Sequence, residues 1–145
     1  MAWKIISPYA GLPGITTHET PATVETVGST TVTDVKAPLG TIVRAVDETF
    51  GEGEFIRLVG VASTIVGSLV TYDATTWQTA LTTHVPVQAR PVAVAMSACV
   101  AGEHGWYQIA GLAVIKKTAV VLNPQVTLAL SATVGRVKGT STSGM

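Results

Sequence analysis

Any catalysis or metal binding in this chain would have to be assembled from three histidines (His18, His84 and His104), one cysteine (Cys99) and a group of acids at Asp47, Glu48, Glu52 and Glu54. Zinc takes imidazole and thiolate ligands at short, paired spacing. Each histidine here stands alone in a turn-like setting with no Cys or second His nearby, so the spacing predicts no metal centre. Ser and Thr are abundant, yet no Gly-x-Ser-x-Gly elbow occurs and no Ser is placed by motif beside a His. Triads are set by geometry, so an enzyme reading requires at least two of His18, His84, His104, Glu52 and Glu54 to converge in one concave pocket. Paired carboxylates can act as acid and base on a glycosidic bond or hold a hard cation. These acids lie around the Gly-rich turn 47–53, where solvated charge is the ordinary expectation. Gly51-x-Gly53 lacks a third glycine, and no helix follows to offer its N-terminus to a phosphate. Cys99 sits in an apolar run and reads as a buried, inert thiol; as the sole cysteine it forms no intramolecular disulfide. No catalytic, cofactor-binding or metal-binding residue is therefore expected.

The composition bounds the class. At 145 residues the chain suits one domain able to bury a core without disulfide or metal. It is 47% apolar and only 12% charged, about half the usual charged share, so much of its polar surface must be Thr and Ser. Such a surface can lie flat against another protein. Net charge is zero but unevenly spread: residues 1–103 carry all nine acids against five basic residues, net −4, and residues 104–145 carry Lys116, Lys117, Arg136 and Lys138 with no acid, net +4. That asymmetry has two readings of equal weight: chance in a sparsely charged chain, or a distribution that would make contacts between copies complementary or direct one end toward an acidic surface. A neutral chain with scattered cations is not built for nucleic acid. No apolar run approaches the roughly 20 residues that span a bilayer, and 1–6 lacks the apolar core of a signal peptide. Assembly in a cytoplasm is expected.

The elements that would position these residues read as strands. Ala101 to Lys117 is the clearest stretch: a Gly-rich turn, Gly102-Glu103-His104-Gly105, joins the apolar run Pro91 to Val100 to the run Trp106 to Ala110. Period-two alternation puts Trp106, Gln108 and Ala110 on one side and Tyr107 and Ile109 on the other. Gly111 marks a bulge or bend before Leu112 to Ile115 resume the strand. Further β-branched runs are Thr31 to Val35, Thr41 to Val46, Glu54 to Val59, Leu69 to Tyr72, Trp77 to Leu81, Ala119 to Leu122 and Val126 to Leu130, bounded by Gly, Pro, Asn and Asp turns. Val61 to Val66 is the best candidate for a helical turn, but its β-branched content argues against one. About ten short strands at this spacing predict an all-β fold, an antiparallel jelly-roll sandwich or small β-barrel. Residues 1–30, dense in Pro and Gly, are expected to be an extended N-terminal arm, 31–139 the β domain and 140–145 a frayed tail.

Three stretches resemble the head decoration, or cement, proteins of tailed bacteriophages. They are Gly67-Ser68-Leu69-Val70-Thr71-Tyr72-Asp73, the run Pro91 to Gly111, and Ser131-Ala132-Thr133-Val134-Gly135-Arg136-Val137, covering roughly Gly60 to Gly144. The resemblance implies an adhesive, non-catalytic protein on the outer surface of a phage head, with the major capsid protein and further copies of itself, as dimer or trimer, for partners. On that expectation Trp3, Ile5, Ile6 and Tyr9 strap onto a neighbouring subunit, and Trp106, Lys116 and Lys117 join the contact. Truncating residues 1–14 should then weaken shell binding without lowering the melting temperature of the body. Rival readings are a tail-associated or receptor-binding module, a carbohydrate-binding module with Trp3, Trp77 or Trp106 in a flat exposed row, and a small β-barrel hydrolase.

Overall fold

Short runs of β-branched and aromatic residues cut by Gly, Pro and Asp turns form strands throughout, and no helix occurs among the described residues. The computed structural model describes residues 2–7, 11–27, 30–34, 36–85, 89–119 and 126–140. Its strands are β1 (Lys4–Ser7), β2 (His18–Glu19), β3 (Ala22–Val27), β4 (Thr30–Asp34), β5 (Ile42–Asp47), β6 (Gly51–Val59), β7 (Leu69–Tyr72), β8 (Thr79–Leu81), β9 (Val92–Ala95), β10 (His104–Ala110), β11 (Leu128–Leu130) and β12 (Val137–Gly139).

Eight strands make one antiparallel sheet in the order β1-β5-β6-β10-β9-β7-β8, with β2 added on β10. The far end curls back on the middle: the Val59 N–H donates to the Trp77 carbonyl at 2.9 Å, and Thr79 Oγ1 donates to the Val59 carbonyl at 2.7 Å. The sheet thereby approaches closure as a small barrel, which leaves fewer unpaired edges. Two further hairpins, β3–β4 and β11–β12, form separate two-stranded sheets.

The central strands β6 and β10 are covered on both faces, which is why they read as nearly unbroken apolar runs. Alternation assigns each residue its side. Phe55 and Trp106 enter one core with Ile15, Val43 and Met96; Ile56, Leu58 and Tyr107 enter the other with Val70, Ala95 and Cys99. At the end of β10 the register slips between Gln108 and Ala110, and Gly111 follows at φ +96°, where a Cβ would lie 2.6 Å from the Glu52 carbonyl oxygen. This is the expected bulge. Leu112 to Ile115 do not resume the strand, however; the backbone bonds next to them run to loops, with the Lys116 N–H donating to the Gly67 carbonyl at 2.8 Å.

The N-terminal segment differs from the expected arm. β1 pairs along β5, with Lys4 opposite Val46 and Ile5 opposite Ala45, so it is a strand of the main sheet. Trp3, Ile5 and Leu12 pack against the first core, Trp3 edge-on to Phe55 with ring centres 4.9 Å apart. Ile15 is buried, and Trp106 Nε1 donates to the Pro13 carbonyl at 3.2 Å. Burying these apolar groups at home stabilises the body more than leaving them exposed for a partner. A boundary after residue 30 would also fall inside β4 and part it from β3, with which it pairs. At the other end, Thr140 is tied to the Thr127 carbonyl through both its N–H and its hydroxyl, and 141–145 lie outside the described residues.

Candidate interaction surface

The groups capable of chemistry are mostly engaged in holding the fold. β2, β6 and the start of β10 meet at a polar cluster in which Glu19 Oε1 accepts from Arg57 Nη2 at 2.8 Å and from the Lys36 N–H at 3.1 Å. The Arg57 side chain is 0% exposed, its Nε and Nη1 have no hydrogen-bond partner among the described residues, and its guanidinium carbon lies 5.2 Å from the centre of the Trp106 ring. His104 is opposite Glu19 in the ladder. Burial, and then the charge of Arg57, lower the basicity of its imidazole. His18, the next residue of β2, has Nε2 3.7 Å from Glu103.

Elsewhere the same holds. Burial pushes the Cys99 thiol up, away from the reactive thiolate, and burial raises the Tyr107 hydroxyl as well. Asp47 accepts from the N–H groups of Thr49, Phe50 and Ala2, which hold its carboxyl below the usual range, Thr49 most strongly. Glu52 and Glu54 do share a depression of about 250 Å³ with Arg44 and Gly111, but the Arg44 guanidinium meets Glu52 at 2.6 Å. No group of three or more His, Cys, Asp or Glu suited to a metal ion is present among the described residues. His84 lies in a different place, on the wall of a groove of about 570 Å³.

What the surface offers instead is apolar area. Thirteen large apolar side chains are exposed among the described residues, from Val46 at 37% to Leu112 at 63%. Alternation on β5 produces one group: Ile42 and Val46 face outward while Val43 and Ala45 fill the core. A second group, Val85, Val92 and Leu130, lines a groove of about 570 Å³ with mainly apolar walls, together with the half-buried Leu81 and with His84 and Arg90. A third groove, about 500 Å³, combines Val66, Val114 and Ile115 with Lys116, Lys117 and Arg136.

The contact residues expected from sequence are thus distributed unevenly. Lys116 and Lys117 are exposed together on the third groove. Ile6 is exposed at 40%, next to the β5 face, whereas Trp3 and Ile5 are half-buried against their own core. Trp106, at 0% exposure, cannot touch a partner, because alternation on β10 turns it inward beneath Arg57. Tyr9 lies outside the described residues. Sequence reasoning missed the burial of Arg57; the available signal was one cation inside the apolar run Phe55 to Val59. It also missed the two apolar grooves, since each gathers residues from segments distant in the chain.

No family model, curated protein or solved structure matches this chain.

Proposed function

We propose that this protein is an adhesive structural module, a head decoration protein of a tailed phage. It adheres to the outer surface of the major capsid protein shell and stabilises the head across the seams between subunits. The observation that carries this reading is the display of thirteen large apolar side chains on a rigid, sparsely charged β body. Where such side chains gather, as Val85, Val92 and Leu130 do around one groove, they mark a surface suited to meeting another protein. Few charges in the contact means little desolvation cost. Each copy then needs only a modest affinity, because many equivalent sites act together through avidity. The resemblance of the segments from Gly67 to Val137 to decoration proteins points the same way. A carbohydrate-binding surface is disfavoured by the tryptophans: Trp106 is buried, Trp3 is packed on Phe50 and Phe55, and the Trp77 ring packs over Gly40.

The test is co-sedimentation with purified heads that lack decoration, followed by electron microscopy of the particles. Decoration predicts saturable binding, density repeated over the whole head, and heads that survive higher temperature. Absence of binding, or density confined to one vertex, would replace this reading with a tail-associated one or none.

A further inference from the structure

β5 stands between β1 and β6, and residues directly opposite one another in its two antiparallel ladders share a face of the sheet. Val46 has Lys4 opposite it on one side and Glu52 on the other, so a row across three strands, about 10 Å long, reads cation, apolar, acid. The neighbouring row sets Arg44 between Ser7 and Glu54. Lys4, Arg44, Val46, Glu52 and Glu54 are all exposed, as are Ile42 on the same face and Ile6 where the β1 register shifts. The other side of these strands is closed, because Val43, Ala45 and Phe55 fill the first core. β5 thus turns one face to its own chain and leaves the other uncovered.

The charges on the uncovered face are arranged by margin. Arg44 Nη2 meets Glu52 Oε1 at 2.6 Å and lies opposite Glu54, so its charge is matched within the chain. Lys4 and Glu54 make no ion pair among the described residues. A cation is therefore left at the β1 margin and an acid at the β6 margin. A partner surface of one charge sign would suit one margin and repel the other. The same face of a second copy, turned over by a twofold axis lying along β5, suits both. The β1 margin of each copy then meets the β6 margin of the other, and Ile42 and Val46 meet their own counterparts.

We propose that two copies of this chain pack the β1–β5–β6 face against itself as a twofold dimer, with the sheets about 10 Å apart. Lys4 of each copy meets the Glu52 and Glu54 margin of the other, so every charge contact occurs twice. The groove at Val85 and Val92 is lined from β7, β8 and β9, at the opposite end of the strand order, and takes no part. The pairing does not rest on the decoration reading.

The experiment uses the full chain in solution, without heads, so its outcome is separate from that of head binding. Sedimentation velocity over a concentration series should show a monomer–dimer equilibrium. Lys4→Glu makes both Lys4 contacts repulsive, and so does Glu52→Lys with Glu54→Lys. Each variant should weaken self-association by roughly tenfold or more, the effect of two exposed ion pairs reversed. An equimolar mixture of the two should dimerise again, because acid then meets base at both margins, and native mass spectrometry should find the mixed dimer. Ile42→Asp sets a carboxylate against its own counterpart near the axis and should dissociate the dimer as well. Circular dichroism melts check that the variants fold; should a charge variant not, Ile42→Asp decides. A parent chain that stays monomeric throughout the series, folded variants that associate as strongly as the parent, or a mixture that forms no mixed dimer would each overturn the proposal.

Discussion

Arg57 Nη2 donates to Glu19 Oε1 at 2.8 Å while its guanidinium lies over Trp106, so one buried cation joins β6, β2 and the first core. Removing only the carboxylate would strand that charge, because Arg57 Nε and Nη1 already have no hydrogen-bond partner among the described residues. Glu19→Gln is expected to cost about 3 kcal/mol, the scale for breaking a buried pair. Glu19→Gln combined with Arg57→Met removes the charge altogether and should be less destabilised than Glu19→Gln alone. Urea unfolding of Glu19→Gln, Arg57→Met and the double variant measures this; additive losses would mean the pair is not coupled.

The same cluster sets a pH dependence. The His104 imidazole is held below its ordinary value of 6.5 by burial and by Arg57, with Glu19 opposing, so the unfolded chain binds a proton before the folded one does. Stability should therefore be complete above about pH 6.5 and decline as the pH falls below it, levelling once the folded imidazole also titrates. Asp47 and Asp73, both depressed from 3.8, stabilise the fold above that value and lose this only in stronger acid. The two windows are thus separable. His104→Gln should flatten the upper one and leave the lower, with the His18–Glu103 contact retained in both proteins as the internal control. Chemical denaturation at intervals of pH reads out both.

Deleting residues 1–14 should lower the melting temperature substantially, contrary to what a detachable arm would do. The deletion removes the β1–β5 ladder, the packing of Trp3, Ile5 and Leu12, and the Trp106 Nε1 bond to Pro13. Trp3→Ala alone should cost about 3 kcal/mol. Calorimetry of both variants decides; a deletion that melts with the parent would restore the arm.

How far the sequence shows this architecture follows from which physics is local. Turn residues and period-two alternation are local, so β7 stands where the residues place it and the opposite facing of Trp106 and Tyr107 is legible, while β10 starts two residues earlier than the turn signal suggests, taking in His104 and Gly105. The fate of Trp3 and Ile5 is not, because it depends on β5 leaving an edge that β1 can pair with, 40 residues away in the chain. Proline and glycine around 8–14 mark an irregular path without saying whether that path is free or packed. The buried Arg57 is likewise legible only as an oddity until Glu19 is brought to it across β10. The candidate surface was the least legible part, since exposed apolar side chains and core ones look the same in a one-dimensional pattern.

Gly60 illustrates a constraint invisible to that pattern. A Cβ there would lie 2.3 Å from the carbonyl oxygens of Cys99 and Val100, backbone atoms that cannot move aside alone. Gly60→Ala is expected to cost about 3 kcal/mol or to prevent folding. Because the same approach seals Cys99 inside, the thiol of the parent protein should ignore a disulfide reagent until the protein unfolds. Labelling rates against denaturant check both statements; rapid labelling of the native parent would contradict the second.

The adhesive reading makes its own demand on the groove between β7, β8 and β9. Val85 and Val92 line it and are more than half exposed, so neither supports the core. Val85→Asp with Val92→Asp should leave the melting temperature nearly unchanged, since exposed substitutions seldom cost more than about 0.5 kcal/mol. Binding to undecorated heads should fall by roughly tenfold or more, because an apolar contact now carries unpaired charge into a buried interface. A matched substitution on the opposite group, Ile42→Asp, separates one adhesive face from the other: the variant that loses head binding while keeping its fold marks the face that meets the shell. Retention of full binding by both variants would place adhesion on neither apolar group and remove the physical basis of the decoration reading.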